Sequence, residues 1–278
     1  MPDRDKDISK FSFLAYRKLK KTLGEFDAIV ECNEIAIKEF IEAASKQDLQ
    51  KYIERLSTKH SVKVNEVNFL KFSSRIRQYY VASVSQQFEQ FLKEFRKEWT
   101  EYNPNHYWIE PPKGQTIFQN ILKNTGINLP NDLIEILEYY RIVRNYMAHT
   151  DRDKVELKSR IESIKSNSNE FLKNFHLDVL PNKVDEIDFN DFLILTNIVK
   201  HIAFILSTNS KPENYDIASI LVNKMKENGG NAFKGIKKLK NNNHRYEKAI
   251  KNYITTTFGR FNSEDLEFTY KEIKSLLA

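Results

Sequence analysis

Glycine and proline are scarce in this chain. There are 7 of each in 278 residues. None lies between Gly24 and Pro104, nor between Pro130 and Pro181. A turn-rich sheet protein needs punctuation far more often than that. A glycine-rich phosphate loop is also missing, so no NTPase activity is expected. Cysteine occurs once, at Cys32. One cysteine excludes an intramolecular disulfide and a cysteine-based zinc site. A reducing, cytoplasmic setting is expected. The first ten residues, MPDRDKDISK, lack the apolar run of a signal peptide. The most apolar stretch, Phe192 to Leu206, is broken by Asn197, Lys200 and His201. It is shorter than a bilayer span of roughly 20 residues, so a helix buried in protein is expected and no membrane partner. No carboxylate or histidine cluster has ligand spacing, so neither a metal nor a cofactor is expected.

What is present is helical periodicity. Between Asn68 and Trp99, Ile76, Tyr80, Val84, Phe88, Leu92 and Phe95 recur three and four apart, while Glu89, Lys93 and Lys97 lie off that stripe. The class read from such stretches is all-α, a bundle with extra helices. Three regions follow. Residues 1–60 predict two or three helices, with "TLGEF" as a break. Residues 66–208 hold the long helix, a loop over 101–116 and a short helix, FQNILKN. A helix that Asn131 can cap comes next, then a helical stretch broken near a Ser/Asn cluster, and an apolar closing helix. A short extended connection is expected around Pro181. Residues 212–278 predict a basic helical region with a break at "NGGN".

Charge is uneven. From Lys224 to Arg260, ten Lys and Arg stand against two Glu, an excess of eight. The whole chain carries only +6, so the remainder is slightly acidic. Lys234, Lys237, Lys238, Lys240, Arg245, Lys248 and Lys251 are interleaved with Phe233, Tyr246, Tyr253 and Phe258. Cations suit a phosphate backbone, and aromatic faces suit unstacked bases. The plainer alternative is a solvated helix face whose aromatics pack inward.

The stretch RIVRNYMAHT, Arg141 to Thr150, breaks its helix's apolar pattern. Ile136, Tyr140, Val143 and Met147 make a core stripe. Arg141, Asn145 and His149 make a second stripe about 100° around the helix, bordered by Arg144 and Ala148. A cation, a titratable imidazole and a neutral amide on one face can hold a phosphate and move a proton. The alternative is structural: the arginines pair with Glu138 or Glu135, and the histidine is a satisfied core residue.

On Arg144, Asn145 and His149, as R-N-x-x-x-H, the chain resembles the ribonuclease members of the HEPN superfamily. The order of a long helix, a short helix, the motif helix and an apolar closing helix over 66–208 is also similar. The resemblance implies a HEPN-like bundle with additional N- and C-terminal helices. It implies a metal-independent endoribonuclease of toxin or antiphage-defence type. Arg144, Asn145 and His149 would be catalytic, and Arg141 would be an auxiliary phosphate contact. RNA is the expected substrate, and a homodimer through the motif helix the expected assembly. An inhibitor or sensor protein is a possible further partner. The alternative reading is a non-catalytic HEPN-like RNA-binding or interaction subunit of a defence complex. Toxin members paired with a nucleotidyltransferase often carry Tyr two residues after the His. Asp151 stands there, so tyrosine modification does not carry over.

Overall fold

The computed structural model describes residues 11–65, 68–148, 154–166, 179–227, 231–259 and 261–277. Eleven α-helices account for most of them: α1 (Leu14–Ser45), α2 (Leu49–His60), α3 (Phe69–Tyr102), α4 (Ile117–Thr125), α5 (Asn131–Ala148), α6 (Lys154–Ser166), α7 (Phe189–Asn209), α8 (Asn214–Glu227), α9 (Asn231–Lys237), α10 (Asn243–Phe258) and α11 (Ser263–Leu276). Among the described residues no strand forms, and one isolated antiparallel bridge joins Phe11 to Gly259. The protein is all-α.

The contacts divide the chain into two compact units. One takes the described residues of Met1–Leu19, Glu89–Asn128 and Ile202–Ala278; the other takes those of Lys20–Phe88 and Leu129–His201. Helices α1, α3 and α7 contribute residues to both.

In the first unit the segment before and at the start of α1 meets the end of α10. Phe11 stacks on Phe258 at 5.5 Å, and Phe13 meets Phe95 edge-on at 5.1 Å. The start of α1 has N–H groups that no helix turn can satisfy. Phe13 N–H donates to the Ser207 hydroxyl at 2.9 Å, and Leu14 and Ala15 N–H donate to the Glu98 carboxylate at 3.2 and 2.8 Å. Burial pushes the Glu98 carboxyl above its ordinary pKa, and these two backbone donors pull it back. Arg17 performs the converse service, donating to the Thr256 and Thr257 carbonyls at the end of α10.

In the second unit, Phe26 and Tyr80 both meet Phe192 edge-on. Glu34, 3% exposed, is held by Arg77 through Nε at 3.1 Å and a terminal nitrogen at 2.5 Å. That two-point grip is the form in which a buried carboxylate is tolerated.

The expected break at "TLGEF" does not occur: α1 runs from Leu14 to Ser45 through Gly24. Glycine inside a helix costs about 1 kcal/mol. The neighbouring Leu23 and Val30 are fully buried, and their packing outweighs that cost. The turn comes instead before Asp48, whose carboxylate accepts from Gln50 and Lys51 N–H and starts α2. Asn131 is the first residue of α5, not its cap. Around Pro181 the chain is irregular and closes in a 3₁₀ turn at Val184–Glu186. The α3 stripe is buried from Tyr80 to Phe95, with Ile76 half-buried. Helix α7 is long and apolar enough to cross a membrane; its Phe192, Leu195, Val199, Ile202 and Leu206 are fully buried in the protein.

Candidate functional site

Helix α5 is buried around most of its circumference. Leu133, Ile136, Tyr139, Tyr140 and Val143 show no exposed surface, and Leu137, Ile142 and Tyr146 are also buried. Arg141, Arg144 and Asn145 are half-buried, and Met147, from the expected core stripe, is half-buried too. The polar residues thus occupy one arc of an otherwise apolar helix.

Within that arc the cations have partners on their own helix. Arg141 Nε donates to Glu138 at 2.6 Å, and Glu138 is 7% exposed. Arg144 donates to the Asn145 side-chain oxygen at 3.2 Å. The first contact is the ion pair anticipated by the structural alternative. The second turns the amide oxygen toward the guanidinium. His149 and Asp151 lie outside the described residues, as does the Ala148 side chain.

Helix α5 is tied to residues far away in the sequence. Asp191, fully buried near the start of α7, accepts from the Tyr140 hydroxyl, Asn182 N–H, the Asn182 amide and Asp188 N–H, each at 2.9 Å. Asp188 reciprocates, accepting from Asn190 and Asp191 N–H at 2.8 and 3.3 Å. Tyr139 donates its hydroxyl to the Asn182 carbonyl. Burial pushes the Asp191 carboxyl above its ordinary pKa, against the pull of its four donors. Burial likewise raises both tyrosines, whose hydroxyls remain protonated donors. The signal in the sequence was D-x-x-D ahead of an apolar run, a reciprocal cap at a helix start.

A shallow groove of about 280 Å³ opens between α5 and α6, lined by Glu135, Glu156, Ser159, Arg160 and Ser163. Arg160 is paired with Glu156 at 3.0 Å. Two carboxylates against one guanidinium make the groove unfavourable for a phosphodiester. Among the described residues, no group of three or more His, Cys, Asp or Glu is placed to hold a metal ion.

The basic region lies in the other unit. Lys234, Lys237, Lys238, Arg245 and Lys248 are exposed. Lys240 is exposed as well, with its ammonium on the Leu277 carbonyl at 3.2 Å. Lys251 differs from the rest: it bridges Glu247 at 2.5 Å and Glu267 at 2.6 Å, and its ammonium sits 5.2 Å from the Tyr270 ring centre. Two of the four interleaved aromatics turn inward. Tyr246 and Phe258 are buried, and Tyr253 is half-buried. The Phe233 side chain lies outside the described residues.

Comparison with protein-family models, curated proteins and solved structures found no match to this chain.

Proposed function

We propose that the protein is a HEPN-type endoribonuclease that cleaves RNA without a metal, through Arg144, Asn145 and His149. The observation that supports this reading most is the contact of Arg144 with Asn145 on the half-buried polar arc of a helix buried around most of its circumference. A largely buried, anchored helix is a suitable platform for a small set of polar groups that must hold a reacting phosphate within a fraction of an ångström. In this reading the ribose 2′-hydroxyl attacks the adjacent phosphorus, and the 5′-oxygen of the next nucleotide leaves. His149 moves the proton, because an imidazole titrates near neutrality. Arg144 stabilises the charge that builds on the phosphoryl oxygens, with a planar fork that lysine lacks. Asn145 orients the phosphate or the imidazole. Arg141 is an auxiliary phosphate contact that must share its guanidinium with Glu138. Two copies meet through α5, placing two Arg–His pairs across one cleft. The setting is cytoplasmic, and a separate protein restrains or triggers the enzyme.

The test is incubation of the purified protein with total RNA, with and without EDTA, beside His149→Ala. Products ending in a 2′,3′-cyclic phosphate and beginning with a 5′-hydroxyl are expected, unaffected by EDTA. A single 2′-deoxy sugar at the cut site blocks cleavage there without blocking binding. Loss of cutting in EDTA, or wild-type cutting by folded His149→Ala, overturns the mechanism. Light scattering should show a dimer; a strict monomer at micromolar concentration with full activity removes the α5 interface.

The Arg141–Glu138 pair favours a second reading, in which the arc serves packing and the chain is a non-catalytic RNA-binding or interaction subunit. Absence of any cleavage, together with retained RNA binding, selects it.

A further inference from the structure

We propose that the outer face of α9, the turn after it and α10 binds the phosphate backbone of a polynucleotide without reading its bases or requiring single strands. The surface is independent of the chemistry on α5. Lys234 and Lys237 on α9, and Lys238 just after it with its N–H on the Lys234 carbonyl at 3.1 Å, fall three and four apart and share one side. The next residues close a tight turn, with Leu239 N–H on the Ile236 carbonyl at 3.0 Å, Lys240 N–H on the Lys237 carbonyl at 3.2 Å and Asn242 N–H on the Leu239 carbonyl at 2.9 Å. Asn242 then caps α10, accepting from Arg245 N–H at 3.0 Å. On α10, Arg245, Lys248 and Asn252 repeat the three-four spacing on the exposed side, opposite the buried Ile250 and Ile254. The cations are therefore carried on ordered backbone, not on a tail.

Charge complementarity names the partner. From Lys234 to Phe258 there is one acid, Glu247, against seven Lys and Arg. Lys251 takes that acid. Five exposed cations, Lys234, Lys237, Lys238, Arg245 and Lys248, form a ridge of one sign, which suits a polyanion. Two features narrow the class. Base stacking needs an exposed aromatic; of the interleaved aromatics whose side chains are described, Tyr246 and Phe258 are buried and Tyr253 is half-buried. Insertion into an anionic bilayer needs an apolar face next to the cations, and no large apolar side chain described between Lys234 and Phe258 is exposed. The described side chains leave contact with phosphates, which tolerates duplex and single strand alike.

The test measures binding, not cutting. Fluorescent oligonucleotides of equal length (U-only RNA, A-only RNA, an RNA hairpin and a DNA duplex) are titrated with the full chain at several salt concentrations. Affinities within about threefold of one another are expected, with a steep salt dependence. Alanine at all five cations should flatten the slope by about 0.7–0.9 for each phosphate left without its cation. Lys93→Ala with Lys97→Ala, two exposed lysines on α3, should lower the net charge and leave the slope nearly unchanged. Tyr253→Leu should leave affinity unchanged. A preference above tenfold for one homopolymer, or loss of binding in Tyr253→Leu, overturns the backbone-only mode. A folded five-alanine variant with the wild-type slope overturns the surface itself. Binding to phosphatidylserine vesicles in place of every oligonucleotide overturns the partner.

Discussion

Helix α5 and the α9–α10 ridge both gather cations, and they use them differently. On α5 each arginine has a partner one to three residues away, Glu138 for Arg141 and Asn145 for Arg144. Along residues 234–258 seven cations stand against one acid in the sequence, Glu247, which pairs with Lys251. The number of positive charges says little about availability; the acids and amides within one helical turn decide it. Pre-paired groups on a buried helix are fixed in place and suit precise chemistry. Groups on an exposed ridge are adaptable and suit affinity.

The sharpest way to separate the two is by rate. Arg144→Ala should lower cleavage by about 10²–10³ while RNA binding changes little. Lys238→Ala should weaken binding a few-fold and leave the rate of bound substrate unchanged. Single-turnover kinetics with saturating protein checks both, and equal effects on both quantities would erase the distinction.

The support of α5 comes next. Asp191→Ala strands four donors in the interior, at about 1–3 kcal/mol for each one that water does not reach. A fall in unfolding free energy of at least about 3 kcal/mol in urea is expected. The pH dependence follows from the raised pKa of this carboxyl in the folded protein. A folded value above the unfolded one makes the contribution complete below pH ~4 and progressively lost as pH rises through the folded value. Asp191→Asn should therefore unfold with a flatter pH profile above that point than the wild type.

How much of this was legible in the sequence differs by element. The α3 stripe and the apolar closing helix were, because their periodicity is long and their burial one-sided. The break at Gly24 was misplaced, because the packing of Leu23 and Val30 depends on distant residues. The polar arc on α5 was visible from spacing alone. Its anchor was not: Asp191 lies 51 residues from Tyr140, and nothing local marks that pair. The ridge lysines could be named from composition, but only burial shows that Tyr246 and Phe258 face inward.

A smaller effect tests the pairing on α5. Arg141→Ala leaves Glu138 nearly buried without its cation, and a loss of about 1–3 kcal/mol is expected. Glu138→Gln in the same chain should return part of it, because a neutral amide costs less to bury than a carboxylate. Equal stability of the single and double variants would mean that water satisfies Glu138. Smallest of all, Lys248→Ala should reduce the salt slope by less than one, and fluorescence anisotropy at several salt concentrations resolves that.

The tie between the start of α1 and the end of α10 has a consequence for how the molecule is made. Phe11 pairs with Gly259, Ser12 N–H reaches the Phe258 carbonyl at 2.8 Å, and Arg17 closes the end of α10. A ribosome delivers those partners some 240 residues apart. The unit built from Lys20–Phe88 and Leu129–His201 has all of its residues once His201 has emerged. The other unit must wait for α10, with Phe11, Phe13 and the first turn of α1 lacking their final cover until then. Synthesis therefore has a built-in order: the unit bearing the α5 arc can mature on the nascent chain, and the unit bearing the basic ridge closes last.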